Sequence, residues 1–213
     1  MVLAFDTSAA HCAAALLWGQ TLLDERREAM AKGQAERLMP LLQDMLTDAG
    51  RTWGDLAAIG VGIGPGNFTG IRISVAAARG LALALGIPAV GVSTLEAQAH
   101  GVAGGVISTL DARRGAIYFQ AFGLGEPSGA MLTAPDRLPA LPAGASPSCI
   151  GDGAAGMAQH YRGRATLPRE PLAVAIARIA AVRWQDAPTR PVPLYLRSAD
   201  ATPPADPAPT ILP

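Results

Sequence analysis

The sequence predicts an α/β protein built as two related lobes, and three observations carry that reading. The segments "VLAFDTS" from Val2 and "VISTLDARRG" from Val106 each read as a buried strand ending in an acid, and each is followed by a strand placed to close a hairpin. Stretches 34–49 and 69–85 carry helical apolar spacing after the first hairpin, and "PLAVAIARIAAVRW" does so after the second. Between the two passes lies "GVAGG", so a hinge is expected near residue 100. Identity between the halves is negligible, so the repeat is one of pattern. The expected divisions are an N-terminal lobe at 1–100, a C-terminal lobe at 101–201 and a proline-rich tail at 202–213.

In chain order, "CAAALLW" and "TLLDERR" read as the second and third strands, with a tight turn near Gly19. The helix over 34–49 sets Leu38, Leu41, Leu42, Met45, Leu46 and Ala49 on one side and closes at Gly50. Pro40 must sit in its first turns or kink it. A strand at "AAIGVGI" leads through "GPGNFTG" into the helix over 69–85, then a strand at "AVGV" and a short helix from Thr94 to about His100. In the second pass, "AIYFQAF" pairs with the strand ending at Asp111, and "SCIGDG" gives another buried strand. Pro171 marks the start of the last helix. The stretch "TAPDRLPALPAGASPS" reads as a loop-rich insertion, and the end "SADATPPADPAPTILP" as an extended or disordered tail.

Composition narrows the function classes. The formal net charge is zero and charged residues make up 16%, which argues against a chain that grips nucleic acid unaided. Cys12 and Cys149 lie far apart in apolar strands and read as buried thiols. The N-terminus has no basic leader region, and the apolar pattern Ile71–Leu85, interrupted by Arg72 and Arg79, reads as too short to span a bilayer. A soluble cytoplasmic protein is expected.

The motifs offer little catalytic chemistry. Gly64 and Gly70 have Walker A spacing, but Ile71 stands where the phosphate-neutralising lysine belongs. A dinucleotide fingerprint through Gly64 and Gly66 fails because Thr69 replaces the third glycine. What remains is a strand-to-helix turn in which Asn67 or Thr69 caps the helix, and whose free N–H groups can accept an anion. Residue physics favours the structural turn over a working phosphate site. Asp6 and Asp111 end strands, where two-lobed nucleotide-binding folds place Mg²⁺ ligands, and Asp152 in "GDG" shares the ambiguity; turn and cap acids are the commoner case. His11, His100 and His160 form no metal-binding pair, and no Gly-x-Ser-x-Gly elbow occurs. Arg113 and Arg114 read as a solvated turn, with an anion contact as the alternative.

The helix over 69–85 is the unusual element. Projected at about 100° per residue, Ile71, Val75, Ala78, Ala82 and Leu85 form one face, and Ile73, Ala76, Ala77, Gly80 and Ala84 form an opposite face that is apolar but small. Two covers for that second face stand open: the helix over 34–49, or helices of another protein.

"VLAFDTS", "QAERLMPLLQDML", "GIGPGNFTGIRISVAAARGLALALGIPAVGVSTLEA", "LDARRGAIYFQAF" and "PLYLRSADA" occur in the order found in the bacterial TsaB family, which the chain resembles from residue 2 to about 201. The family is related to the glycoprotease-like (Gcp) proteins. The resemblance implies a fold of the actin, sugar-kinase and Hsp70 (ASKHA) type, with two ribonuclease-H-like lobes. It also implies a non-catalytic subunit that pairs with TsaD, and through it with the ATPase TsaE, in threonylcarbamoyl transfer to the adenosine beside the tRNA anticodon. tRNA is then met only through the complex, with no intrinsic cofactor or metal, and with ATP or ADP entering at the level of the complex. The family places its subunit contact on two N-lobe helices, here those carrying Leu38, Leu41, Leu42 and Met45, and Ile73, Ala76, Ala77, Gly80 and Ala84. The second face then awaits TsaD or a second copy of the chain. A degenerate nucleotide site would comprise Asp6, Thr7, Gly64, Gly66, Asn67, Thr69 and Asp111. The competing readings are an ATP-dependent phosphotransferase or ATPase on the same fold, and a metalloprotease, which the histidines do not support.

Overall fold

The computed structural model describes residues 1–125, 129–186 and 190–197; the tail expected at 202–213 lies outside them. Two five-stranded mixed sheets form the frame. The first consists of β1 (Val2–Asp6), β2 (His11–Trp18), β3 (Thr21–Ala29), β4 (Ala58–Gly62) and β5 (Ala89–Val92), in the order β3-β2-β1-β4-β5. The second consists of β6 (Val106–Asp111), β7 (Ile117–Phe122), β8 (Met131–Thr133), β9 (Ser148–Gly151) and β10 (Arg164–Ala165), in the order β8-β7-β6-β9-β10. Numbered within each sheet, both orders are 3-2-1-4-5. The first three strands are antiparallel neighbours in each, while the fourth joins the first in parallel. The repeat expected from two acid-ended strands is therefore a repeat of topology, and the fold is a two-lobed, ASKHA-like α/β architecture.

Strand alternation sorts the first sheet's residues between two helical layers. Leu3 and Phe5 of β1, with Ile59 and Val61 of β4, face α1 (Gln34–Asp48) and α2 (Phe68–Leu85). Val2, Ala4 and Ala58 face the other way, onto α5 (Leu172–Arg183). That layer is close because its residues are small: a Cβ on Gly60 would stand 3.0 Å from both Ala180 Cβ and Ala4 Cβ. Helix α5 thus follows the second sheet in the chain but packs on the first. Pro171 is its N-cap residue, one position before the first helical residue. The short helix α3 (Thr94–Ala99) lies between the lobes, with Ala97 in the α5 layer and Gln98 Oε1 accepting from Ser108 Oγ of β6 at 2.9 Å.

The second sheet has a smaller core of Ile107, Phe119, Cys149 and Met157, the last from α4 (Ala154–Tyr161). Helix α4 and the short strands β8 and β10 carry too few periodic positions to stand out in the sequence. Pro40 lies inside α1, in its second turn, and the helix continues past it to Asp48.

The join between β4 and α2 is set by close backbone approach. Asn67 Oδ1 accepts from Gly70 N at 2.9 Å and caps α2, and Thr7 Oγ1 donates to Gly70 O at 2.6 Å. A Cβ on Gly70 would stand 1.9 Å from Thr7 O, and one on Gly66 would stand 2.4 Å from Ser8 O. Gly70→Ala is therefore expected to lower unfolding stability by at least about 2 kcal/mol, read from denaturant midpoints.

Both cysteines are fully buried and unpaired. Burial, reinforced by the Glu28 charge, pushes the Cys12 thiol up from 9.0 to about 11, and burial also raises Cys149. Neither thiol is expected to react with an aromatic disulfide reagent at pH 8 until the chain unfolds. Because the native state holds the Cys12 proton beyond the pH at which the unfolded chain releases it, this thiol's contribution to stability is full below pH 9 and declines toward pH 11.

Candidate partner-binding surface

The glycine loop does not present an open phosphate cradle. Asn67 N donates to Ser8 O at 2.6 Å, and the space beside Gly66 and Gly70 is filled by the backbone of Thr7 and Ser8. Gly64 adopts φ 90 and its peptide bond to Pro65 is cis. A Cβ there would stand 2.5 Å from Ile71 Cδ1, so the loop is packed on its own helix as well. Thr69 is exposed in the first turn of α2.

Asp6 and Thr7 are fully buried. Asp6 Oδ1 accepts from Ser8 N at 3.0 Å and Ser8 Oγ at 2.9 Å, with His11 Nε2 at 3.1 Å. Serine and histidine therefore both converge on the carboxylate, not on each other, and no nucleophile–base relay is formed. Asp6 Oδ2 has no hydrogen-bond partner and lies over Gly62, where a Cβ would stand 1.9 Å away. Asp111 is exposed on the second sheet, where its Oδ1 accepts from Arg113 N at 2.8 Å, while Asp152 Oδ2 accepts from Asp111 N at 2.9 Å. The structure gathers Asp6, Thr7, Gly64, Gly66 and Asn67 into one packed turn and leaves Asp111 apart, bonded within its own lobe. Asp111 and Asp152 act as turn acids. Among the described residues no three His, Cys, Asp or Glu side chains converge as a metal site.

The outer side of α2 is different. Gly70, Ile71, Ser74, Val75 and Ala78 are buried against the sheet, whereas Ala76, Gly80 and Ala84 are exposed and Ile73 and Ala77 half-buried. Leu83 is 84% exposed. Helix α1 reaches only one margin of this face, so the cover expected of helix 34–49 is partial. Where the helices diverge, Met39, Pro40, Gln43, Trp53, Leu81, Ala84 and Leu85 line an apolar groove, with Trp53 Nε1 donating to Gln43 Oε1 at 2.7 Å.

The expectation for α1 needs correction. Leu38, Leu41, Leu42 and Met45 are 0–1% exposed and belong to the lobe's own core. They cannot meet a partner without unfolding that core; Met39, Pro40 and Gln43, one position round the helix, do face outward. Sequence periodicity identified the apolar side of α1 but could not say that the sheet already used all of it. Trp53, in a single 3₁₀ turn after α1, carried no periodic signal.

The bilayer argument also changes, because the Asn67 cap lets α2 begin at Phe68. The helix is then 18 residues long with mean hydropathy 1.4, long and apolar enough by length and composition to cross a membrane. Its inner face is packed in the core, and Arg79 Nε donates to Pro191 O at 2.8 Å, which commits it to the lobe.

A family model described as TsaD, tRNA N6-adenosine threonylcarbamoyltransferase, matches residues 28–143. The chain is 38% identical to the tRNA threonylcarbamoyladenosine biosynthesis protein TsaB of Escherichia coli over 55% of its own length and 53% of that protein. It thus spans about half the length of that relative. An uncharacterised protein of Mycobacterium tuberculosis is 36% identical over 95% of this chain and 94% of its own. The solved structure of YeaZ from Pseudomonas aeruginosa superposes with a TM-score of 0.73 at 29% identity, covering 92% of this chain and 99% of that one.

Gly80 sits at the middle of the outer face, and a Cβ added there would meet nothing within 4 Å beyond its chain neighbours and its own helix backbone. Gly80→Ala is therefore expected to stabilise the isolated chain by up to about 1 kcal/mol, through helix propensity alone, in a thermal or denaturant melt.

Proposed function

The chain belongs to the TsaB family, and on that footing we propose that it is a non-catalytic subunit of tRNA threonylcarbamoyladenosine biosynthesis. It pairs with TsaD through the outer face of α2 and the adjoining groove. TsaE joins through TsaD, and the assembly works in the cytoplasm on the adenosine beside the anticodon. ATP or ADP enters at the level of the complex.

The observation that carries this reading is the outer face of α2. It is apolar, largely uncovered in the isolated chain, and has Ala76, Gly80 and Ala84 at its exposed centre, small residues that let a second helix approach at short interaxial distance. The same face also offers a second copy of this chain a surface to pair with when the partner is missing. The glycine loop and Asp6 add support: the backbone of Thr7 and Ser8 fills the space beside Gly66 and Gly70, and Ser8 and His11 hold one oxygen of the buried Asp6.

Co-expression with TsaD, followed by size exclusion and a tRNA modification assay, tests the proposal. Wild type is expected to co-elute with TsaD and to support modification. Gly80→Arg, which sets a cation in the seam from a position where an added Cβ has open space, is expected to fold normally and to lose co-elution. Undiminished pairing of that variant would remove α2 from the interface. Tight Mg²⁺-dependent ATP turnover by the isolated chain would point to an enzyme instead.

A further inference from the structure

Helix α2 carries a second surface at its opposite end. Phe68 and Tyr195 are 40% and 45% exposed, with ring centroids 5.0 Å apart. The Arg72 guanidinium lies 3.8 Å over the Phe68 ring, and Arg72 Nε donates to Tyr195 Oη at 3.1 Å. Tyr195 belongs to the segment 191–197, which is held along the first lobe by the bond from Arg79 to Pro191 O and by Leu194 N donating to Ile63 O at 2.8 Å. Two residues further, the Arg197 guanidinium reaches Arg113 O at 3.5 Å, at the tip of the β6–β7 hairpin. A chain of contacts therefore runs from the first lobe to the second through Arg72, Phe68, Tyr195, Arg197 and Arg113.

Among the described residues no carboxylate pairs with Arg72, Arg113 or Arg197, whereas Arg26, Arg37, Arg178 and Arg183 each hold one. Asp111 and Asp152 lie at the base of the hairpin, where each accepts from backbone N–H. At the tip, Arg113 and Arg114 have φ 61 and 52, a left-handed backbone that disfavours side chains other than glycine, asparagine and aspartate. Long cationic side chains stand there despite that cost.

We propose that this strip binds unpaired nucleotides of tRNA directly, with bases stacking on Phe68 and Tyr195 and phosphates meeting Arg72, Arg197 and Arg113. Alternating rings and unpaired guanidinium groups are the chemistry of single-stranded RNA contact, while the apolar area suited to a protein lies elsewhere. Leu83 is eleven residues from Arg72, about 16 Å along the helix, so a protein partner and an RNA can occupy α2 together. The inference rests on the reading that the chain serves tRNA modification, and it adds a direct contact where the near-zero net charge implies none unaided.

The test uses the complex of this chain with TsaD, and follows unmodified tRNA binding by fluorescence anisotropy across a salt series, with size exclusion as a separate readout of pairing. Tyr195→Ala is expected to weaken tRNA binding about fivefold or more, and Tyr195→Phe to retain it. The double variant Arg113→Gln, Arg197→Gln is expected to weaken binding and to flatten the salt dependence by about one to two units of log–log slope. Pairing with TsaD should be unchanged in all of them. Unaltered affinity and slope in both the Tyr195→Ala and the double variant overturn the proposal. Loss of pairing in Tyr195→Ala also overturns it and assigns the strip to the protein partner. A wild-type complex that forms but binds no tRNA removes the strip while leaving the pairing intact; failure to form any complex removes the underlying reading and the strip with it.

Discussion

The first lobe depends on one contact: the start of α2 lying directly on the backbone of the β1–β2 turn. Gly66 and Gly70 make it possible, because any side chain at either position would meet Ser8 O or Thr7 O. The Asn67 cap and the Thr7 bond to Gly70 O then fix where the helix begins and how it leaves the sheet. From that origin, the spacing of Ile71, Ser74, Val75 and Ala78 decides which side of α2 is buried. The outward presentation of Ala76, Gly80 and Ala84 is the geometric remainder. A loop that resembles a phosphate cradle in its letters is thus a fastening between strand, turn and helix. The same closeness accounts for the burial of Asp6, whose carboxylate is held under Gly62 by Ser8 and His11.

The two sheets share one topology but not one set of covers. Both place the first strand between an antiparallel hairpin and a parallel strand. The first sheet sends Leu3, Phe5 and Ile59 toward α1 and α2, and toward α5 it sends Ala4, Ala13, Ala15 and Ala58, with Gly60 beside Ala180. The second has a far smaller cluster around Phe119 and Met157. Stability is consequently concentrated in the first lobe, the one that carries the outer face of α2. Rigidity beneath that face suits docking, because little ordering remains to be done on binding.

Much of this was legible in the sequence because period and punctuation were strong. The strands of both hairpins, the helices at 34–49 and 69–85, and the helix after Pro171 all follow alternation or helical spacing bounded by glycine or proline. What the letters could not supply was the destination of each face. The α1 leucines looked available to a partner until the sheet accounted for them, and α5 gave no sign that it crosses to the other lobe, being apolar on nearly every side. The cation–aromatic strip was illegible for a related reason. Phe68, Arg72, Arg113, Tyr195 and Arg197 are separated by up to 129 positions and fall in a helix start, a hairpin tip and an irregular segment. Only the folded path of 191–197 brings them together.

The crossing of α5 also bears on how the protein is made. Ala4, Ala13, Ala15 and Gly60 lie on a sheet face whose cover is a helix that ends at Arg183. During synthesis that face emerges early and waits, at about 5–20 residues per second, until the helix has cleared the ribosome. The first lobe therefore cannot finish folding until the residues of the second lobe and α5 itself have been made. The order of the chain thus ties completion of the first lobe to synthesis through Arg183, so that a product ended before α5 leaves one face of the first sheet bare.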